Sequence, residues 1–264
     1  MTQLVHTPEA LAEALPSGPV SLVPTMGALH NGHLALVRAA QELGNPVVVS
    51  IFVNPLQFAP GEDLEKYPRT LAEDIEKLEA LGVDAVFAPA PETMYPHGPR
   101  TTIQPGPLGG VLEGATRPTH FAGVLTVVAK LFALTGASDA FFGEKDYQQL
   151  ALIRQMVDDL HLPVRIHGCP IVRDTDGLAL SSRNRYLSDE ERTVALAIPR
   201  ALATGSLAEA RSLLDATKGL HLDYLLATAE DMSELPDGYT GPARLLVAAK
   251  VGATRLLDNA PIEL

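Results

Sequence analysis

The stretch best equipped for chemistry is Pro24-Thr25-Met26-Gly27-Ala28-Leu29-His30-Asn31-Gly32-His33. His30 and His33 stand three apart, so on the first turn of a helix their imidazoles share one face. Two imidazoles so placed can donate hydrogen bonds to charge that develops on a phosphate during displacement. Gly27 and Gly32 let the backbone approach a ligand closely. The free N–H groups of a helix starting near Asn31 suit an anion. Two other readings compete. The pair could hold zinc, although a third ligand is hard to place in a chain with 1 cysteine, or the histidines could cap the helix or fill a core. No G-x-x-x-x-G-K-[ST] occurs, and no G-x-G-x-x-G falls here, so neither a P-loop nor a dinucleotide turn is present at this point.

Four more groups could act on an anionic substrate. Gln57 follows an apolar run in Val53-Asn54-Pro55-Leu56-Gln57-Phe58. Gly143-Glu144-Lys145-Asp146 supplies an amine, and Gln149 follows shortly after it. Ser181-Ser182-Arg183 combines two hydroxyls with a guanidinium, whose planar fork matches phosphate oxygens. Taken alone, each has a bland alternative: solvated surface amides for Gln57 and Gln149, an ion pair with Glu144 or Asp146 for Lys145, an ordinary turn for Ser181-Ser182. Arg117 and His120 read as anchors of a loop or as residues at a substrate's edge.

The elements that must position these groups alternate along the first two-thirds of the chain. Val20–Val23 reads as a buried strand ended by Pro24, followed by a helix from Gly32 that Gly44 and Pro46 stop. Val47–Val53, β-branched and nearly continuous, suits a parallel strand covered on both faces. A helix over Thr70–Leu81, a strand at Ala85–Ala88, a long Pro- and Gly-rich irregular segment over 89–120, a helix over Gly123–Leu134, a strand at Ala140–Phe142, a helix over Gln148–Leu160 and a strand at Val164–Ile166 follow. This alternation predicts an α/β, Rossmann-like doubly wound parallel sheet over residues 1–171, with ligands at the carboxyl edge of its strands. After about Val172 the pattern changes. Ser188 and Glu191 form a capping box that opens a helix through Ala203, and a second helix runs from Leu207 towards Ala216. Strands at Leu222–Leu226, Arg244–Ala249 and Thr254–Leu257, the last two joined as a hairpin through Lys250–Ala253, complete a small α+β domain over 172–264.

Composition narrows the class. The 264 residues carry 20 basic and 32 acidic side chains, a net charge of −12, which argues against nucleic-acid or anionic-membrane partners. One cysteine, Cys169, rules out an internal disulfide. The start of the chain lacks a charged n-region and apolar h-region, and no apolar run approaches the length of a bilayer span, so the expectation is a cytoplasmic protein.

His30-x-Gly32-His33 resembles the HxGH motif of the nucleotidylyltransferase superfamily. With Val53–Phe58, Tyr67-Pro68-Arg69-Thr70, Arg117–Val124, Phe142–Leu150 and Leu180–Asn184 in this order over nearly the whole length, the chain resembles the pantothenate synthetase (pantoate–β-alanine ligase) family. The resemblance implies a two-step reaction: pantoate attacks the α-phosphate of ATP to give pantoyl adenylate and pyrophosphate, then β-alanine displaces AMP. It further implies an ATP site at Met26, Gly27, Ala28, Leu29, His30, Asn31, Gly32, His33, Gly143, Glu144, Lys145, Asp146, Val172, Leu180, Ser181, Ser182 and Arg183. Of these, His33, His30, Lys145 and Arg183 would be catalytic. Gln57 and Gln149 would hold pantoate, with Gln57 also facing β-alanine. The second domain would act as a lid, and a homodimer is implied.

Three departures from the family pattern stand out. Leu180 replaces the usual Met, a change of similar volume. The segment between Pro199 and Leu222 looks short. Where the family has acidic residues for magnesium, Glu73-Asp74 is followed by Lys77, so no protein ligand is assigned and Mg2+ is expected to arrive on the ATP phosphates. Two rivals remain: a nucleotidylyltransferase acting on a phosphorylated acceptor, which would favour more Lys and Arg near the strand edge than Val53–Phe58 offers, and a dead nucleotide-binding regulator, which would have lost His30, His33 or Lys145.

Overall fold

The computed structural model describes residues 2–59, 64–65 and 67–264. The chain divides into two units, Met1–Glu144 with Gln148–Cys169, and Lys145–Tyr147 with Pro170–Leu264.

The first unit is built on six parallel strands: β1 (Gln3–Val5), β2 (Ser21–Thr25), β3 (Val47–Ile51), β4 (Ala85–Phe87), β5 (Asp139–Gly143) and β6 (Arg165–Cys169). Their order is β1-β4-β3-β2-β5-β6. Side chains alternate between faces along a strand, and this sheet is apolar on both. Leu22, Val48 and Phe87 enter one core, with Leu11 of α1 (Pro8–Ala14), Val124 and Leu131 of α6 (His120–Thr135), and Leu150 and Ile153 of α7 (Tyr147–Asp159). Val23, Val49 and Val86 enter the other, with Leu36 and Val37 of α2 (Asn31–Gln41) and Leu78 of α3 (Leu71–Ala80). The doubly wound sheet predicted from the alternation is therefore present. Its order turns at β2, which has β3 on one side and β5 on the other. That turning point is where ligands of open α/β sheets bind.

Three local differences have simple causes. β2 does not stop at Pro24 but runs to Thr25, paired Pro24↔Ser50 and Thr25↔Ile51. The β2–β5 ladder has already ended at Leu22↔Ala140, and the Thr25 carbonyl turns toward β3 to accept from Phe52 N at 3.0 Å. The N–H that proline lacks thus falls on the unpaired side. β1 and α1 escape prediction because β1 has three residues with only Val5 buried. The segment 89–120 holds two short helices, α4 (Pro91–Met94) and α5 (Glu113–Thr116), with a 3-10 turn at Pro107–Gly110. Buried Gln148 ties it down: its Nε2 donates to the Leu108 and Val111 carbonyls, each at 2.8 Å, and its Oε1 accepts from Glu113 N at 3.1 Å. Cys169, at the end of β6, is buried, and burial followed by the nearby Glu144 and Glu42 pushes its thiol up to about 11.

The second unit has three antiparallel strands in sequence order, β7 (Leu220–Thr228), β8 (Pro242–Val251) and β9 (Thr254–Glu263). Leu245, Val247, Ala249 and Val251 pack with Ile198 and Leu214 from the helices. The capping box forms as expected: Glu191 N donates to Ser188 Oγ at 3.2 Å and Ser188 N to Glu191 Oε2 at 2.9 Å. The helix it opens breaks into α8 (Asp189–Ala195) and α9 (Ala197–Leu202), because Pro199 has no N–H to offer the Ala195 carbonyl. α10 (Leu207–Ala216) follows as predicted.

Candidate active site

β2 delivers the chain into the turn Met26–Leu29 at the sheet's turning point, and His30 is the N-cap of α2. The turn is bent by two residues at positive φ, Gly27 at +80° and Ala28 at +52°. A Cβ on Gly27 would lie 3.1 Å from Ile51 Cγ2 and 3.2 Å from Asp74 Oδ2, so glycine is needed for space as well as for conformation. Ala28 holds a left-handed conformation that costs an alanine about 1–2 kcal/mol.

The two histidines build a reciprocal cap. His30 Nδ1 accepts from Gly32 N at 3.1 Å, and His33 Nδ1 accepts from His30 N at 3.3 Å. Their ring centroids are 4.1 Å apart. A ring nitrogen that accepts an N–H carries no proton, so each neutral imidazole has its proton on Nε2. The capping reading and the donor reading are thus compatible: Nδ1 serves the helix, and the ring's N–H is on Nε2. Among the described residues no group of three His, Cys, Asp or Glu side chains could hold a metal, so the zinc reading finds no support.

Asp74, fully buried on α3, closes the turn from the other side. Its Oδ2 accepts from Ala28 N and its Oδ1 from Leu29 N, each at 2.8 Å, and Thr70 Oγ1 donates to Oδ2 at 3.1 Å. Lys77 Nζ donates to the Leu29 carbonyl at 2.9 Å and lies 3.7 Å from Asp74 Oδ1. A carboxylate so committed, with an ammonium beside it, does not fit a magnesium ligand.

Gln57 sits in a 3-10 turn, Pro55–Gln57, after β3. Asn54, fully buried, donates from Nδ2 to Gln57 Oε1 at 3.1 Å and to the Gly123 carbonyl at 3.0 Å, while its Oδ1 accepts from Tyr95 OH at 3.0 Å and from Leu56 N at 3.3 Å. With Oε1 accepting from Asn54, the Gln57 carboxamide is held at its oxygen end, and its Nε2 is the donor end. Arg117 Nη2 and His120 Nδ1 donate to the Gln57 main-chain carbonyl at 2.9 and 3.1 Å, so both act as anchors of this turn. Gly123 permits the fit, since a Cβ there would fall on the Leu56 carbonyl. Burial pushes the Tyr95 phenol up to about 12. Sequence reasoning missed Asn54, Tyr95 and Asp74 as parts of the site. A polar side chain between an apolar strand and a proline was the one available signal, and it applied to Asn54.

Gly143, at the end of β5, and Glu144 belong to the first unit, as does half-exposed Gln149 on α7. Lys145, expected with the first domain from its place in the sequence, groups instead with the second unit, and Asn259 Nδ2 donates to its carbonyl at 3.1 Å. Its Nζ lies 3.5 Å from Asp146 Oδ1, so the ion-pair reading holds locally. Also in the second unit, Leu180 N donates to the Val172 carbonyl at 2.9 Å. Ser181 Oγ accepts from Arg183 N at 3.3 Å and caps the 3-10 turn Ser182–Tyr186. The structure therefore assembles the His30–His33 turn and the Gln57 cluster in the first unit, and Lys145 and the Val172–Arg183 segment in the second.

The family model described as pantoate-beta-alanine ligase matches residues 3–261. The chain belongs to that family. A pantothenate synthetase of Corynebacterium jeikeium is 63% identical over 257 residues, covering 93% of this chain and 83% of that one. The crystal structure of pantothenate synthetase from Thermus thermophilus superposes with a TM-score of 0.92 at 49% identity, covering 98% of each chain. That of pantoate-beta-alanine ligase from Francisella tularensis, complexed with βγ-ATP and β-alanine, superposes with a TM-score of 0.85 at 36% identity, covering 98% of this chain and 97% of that one. As a pantoate–β-alanine ligase, the chain is an ATP-using enzyme that joins pantoate and β-alanine into pantothenate.

Proposed function

We propose that this ligase works through a pantoyl adenylate. A pantoate carboxylate oxygen bonds to the α-phosphorus of ATP while the bond to pyrophosphate breaks. The neutral amine of β-alanine then bonds to the acyl carbon, the acyl–oxygen bond breaks, AMP leaves with its electron pair, and the nitrogen gives up one proton to solvent. The observation that carries this reading is the paired cap of His30 and His33. By fixing both Nδ1 atoms as acceptors of backbone N–H, it orients two Nε2–H donors at the sheet's turning point before any ligand arrives.

In this reading His33 and His30 stabilise charge on the α-phosphate and the departing pyrophosphate. Lys145 and Arg183 add fixed cations, and Ser181 and Ser182 donate from their hydroxyls. The backbone of Met26–Gly32 and Gly143–Asp146 lines the nucleotide, with Val172 and Leu180 against its base. Gln57 and Gln149 grip pantoate, and Gln57 also faces β-alanine. Mg2+ rides on the ATP phosphates rather than on Asp74, whose oxygens are already occupied. The second unit serves as the lid, a homodimer is the working assembly, and the cytoplasm is the expected compartment.

Pantoate-dependent exchange of pyrophosphate into ATP is the test, since only a reversible adenylation supports it. Exchange that needs pantoate but not β-alanine is expected. Exchange absent without β-alanine would overturn the adenylate.

A further inference from the structure

The second unit holds a chain of buried polar contacts that the reaction, as derived above, does not use. It ends on the main chain of Lys145. Asn259, on β9 and 2% exposed, donates from Nδ2 to the Lys145 carbonyl at 3.1 Å. The other end of the same carboxamide, Oδ1, accepts from Arg244 Nε at 2.8 Å. Arg244, on β8, is itself buried, and its guanidinium lies 4.0 Å from the centre of the Tyr147 ring. Tyr147 OH in turn donates to the Glu230 carbonyl at 2.8 Å. From the other side, Asp258 Oδ1 accepts the main-chain N–H of Asn259 at 2.8 Å. Asp258 is held by Arg173 through two bonds, Nη1 to Oδ2 at 2.6 Å and Nη2 to Oδ1 at 3.0 Å.

Each charged group in this chain has a polar or aromatic partner. Arg173 forks onto Asp258, and Arg244 spreads its charge over an aromatic face and an amide oxygen. A buried polar network of this kind is costly unless fully satisfied, and a packed sheet could be had more simply with apolar residues at these positions. What the network achieves is to fix one carboxamide from both sides and point its N–H at one carbonyl. Lys145 and Tyr147 are then gripped two residues apart, one through its carbonyl and the other through its ring, so the main chain at Lys145 has little freedom.

We propose that Asn259 is a positioning residue for adenylation, setting the main chain from which Lys145 extends, with Arg244 and Asp258 fixing Asn259 in turn. The proposal rests on the reading of Lys145 as a cation acting on the phosphates. Misplacement of a reacting group by about 1 Å can cost on the order of a hundredfold in rate, so the expected effect lies on turnover rather than on substrate capture.

The test is a double-mutant cycle on pantoate-dependent ATP–pyrophosphate exchange. Asn259→Asp keeps the acceptor for Arg244 and replaces the donor that faces Lys145 with a second oxygen. In the otherwise unaltered enzyme it should lower kcat about tenfold or more, with the KM for pantoate changed by less than about twofold. In a Lys145→Ala background the same substitution should change exchange by less than about twofold, because its target is gone. A folded Asn259→Asp enzyme with unaltered exchange overturns the proposal, and so does a loss of equal size in both backgrounds. Lys145→Ala alone reports separately: if it leaves exchange intact, the reading of Lys145 fails and this inference falls with it. Should Asn259→Asp not fold, Arg244→Lys, which keeps the cation but loses the fork, must give a smaller loss in the same direction that also vanishes without Lys145.

Discussion

Asp74 reaches back 46 residues to accept the main-chain N–H of Ala28 at 2.8 Å, and its second oxygen takes the next N–H, that of Leu29. A buried carboxylate thereby holds open a turn whose alanine sits at φ +52°. Asp74→Asn would place an N–H2 against a backbone N–H and leave a buried donor unmatched. A stability loss of about 1–3 kcal/mol is expected, read from denaturant unfolding, together with a drop in exchange turnover. Unchanged stability would mean that the turn holds itself.

The double use of each imidazole makes His33 separable into two functions. His33→Asn can still accept the His30 N–H but has nothing at the Nε2 position. His33→Gln reaches toward that position but abandons the cap. Exchange kinetics and thermal melting should therefore move apart. The Asn variant should lose about 2–4 kcal/mol of transition-state stabilisation with little change in melting. The Gln variant should melt earlier, at a cost of about 0.5–2 kcal/mol. Equal melting losses in both would contradict the cap geometry.

For Gln57 the expectation is a selective loss. Gln57→Ala should weaken pantoate and β-alanine binding and spare ATP. Asn54→Ala should do the same by freeing the Gln57 amide, at an added stability cost of about 1–3 kcal/mol for the buried partners it strands. Calorimetric titration of each substrate separates these outcomes. A defect confined to ATP would place the cluster in the wrong pocket.

Acid stability should depend on Asp139. Burial alone would raise its carboxyl, but hydrogen bonds from His167 and Ser138, with the attraction of His167 and Arg165, outweigh it and hold the group below its ordinary 3.8. A depressed carboxyl contributes stability above its unfolded value and loses it as pH falls through the lower folded one. Unfolding midpoints measured from pH 6 downward should thus fall less steeply below about pH 4 in Asp139→Asn than in the parent. Parallel curves would remove Asp139 from the acid transition.

What the sequence made legible was what it encodes locally. The run Val47–Val53 formed its strand over Val47–Ile51, Ser188 and Glu191 closed their box, and the His30-x-Gly32-His33 spacing put both rings at the start of α2. What it hid depends on partners far along the chain. Asp74 reads in the sequence only as part of an acidic pair to which no metal is assigned, because nothing within α3 shows that its bonds go to residues 28 and 29. Lys77, read from the sequence only as a charge that opposes a metal ligand, donates to the Leu29 carbonyl 48 residues before it. Arg117 and His120 could not be assigned because they donate to one carbonyl 60 and 63 residues before them. The break at Leu196, by contrast, was readable from Pro199 and was overlooked.

The thiol of Cys169 is both walled in and pushed up to about 11, so at neutral pH only about one molecule in ten thousand carries the reactive thiolate there. Maleimides should pass it by. The wild-type chain is thus a chemically silent background: a single cysteine placed on any exposed position could be dyed without first removing the native one, and a pair of such dyes, one in each unit, would report by energy transfer how the distance between the units responds to ATP.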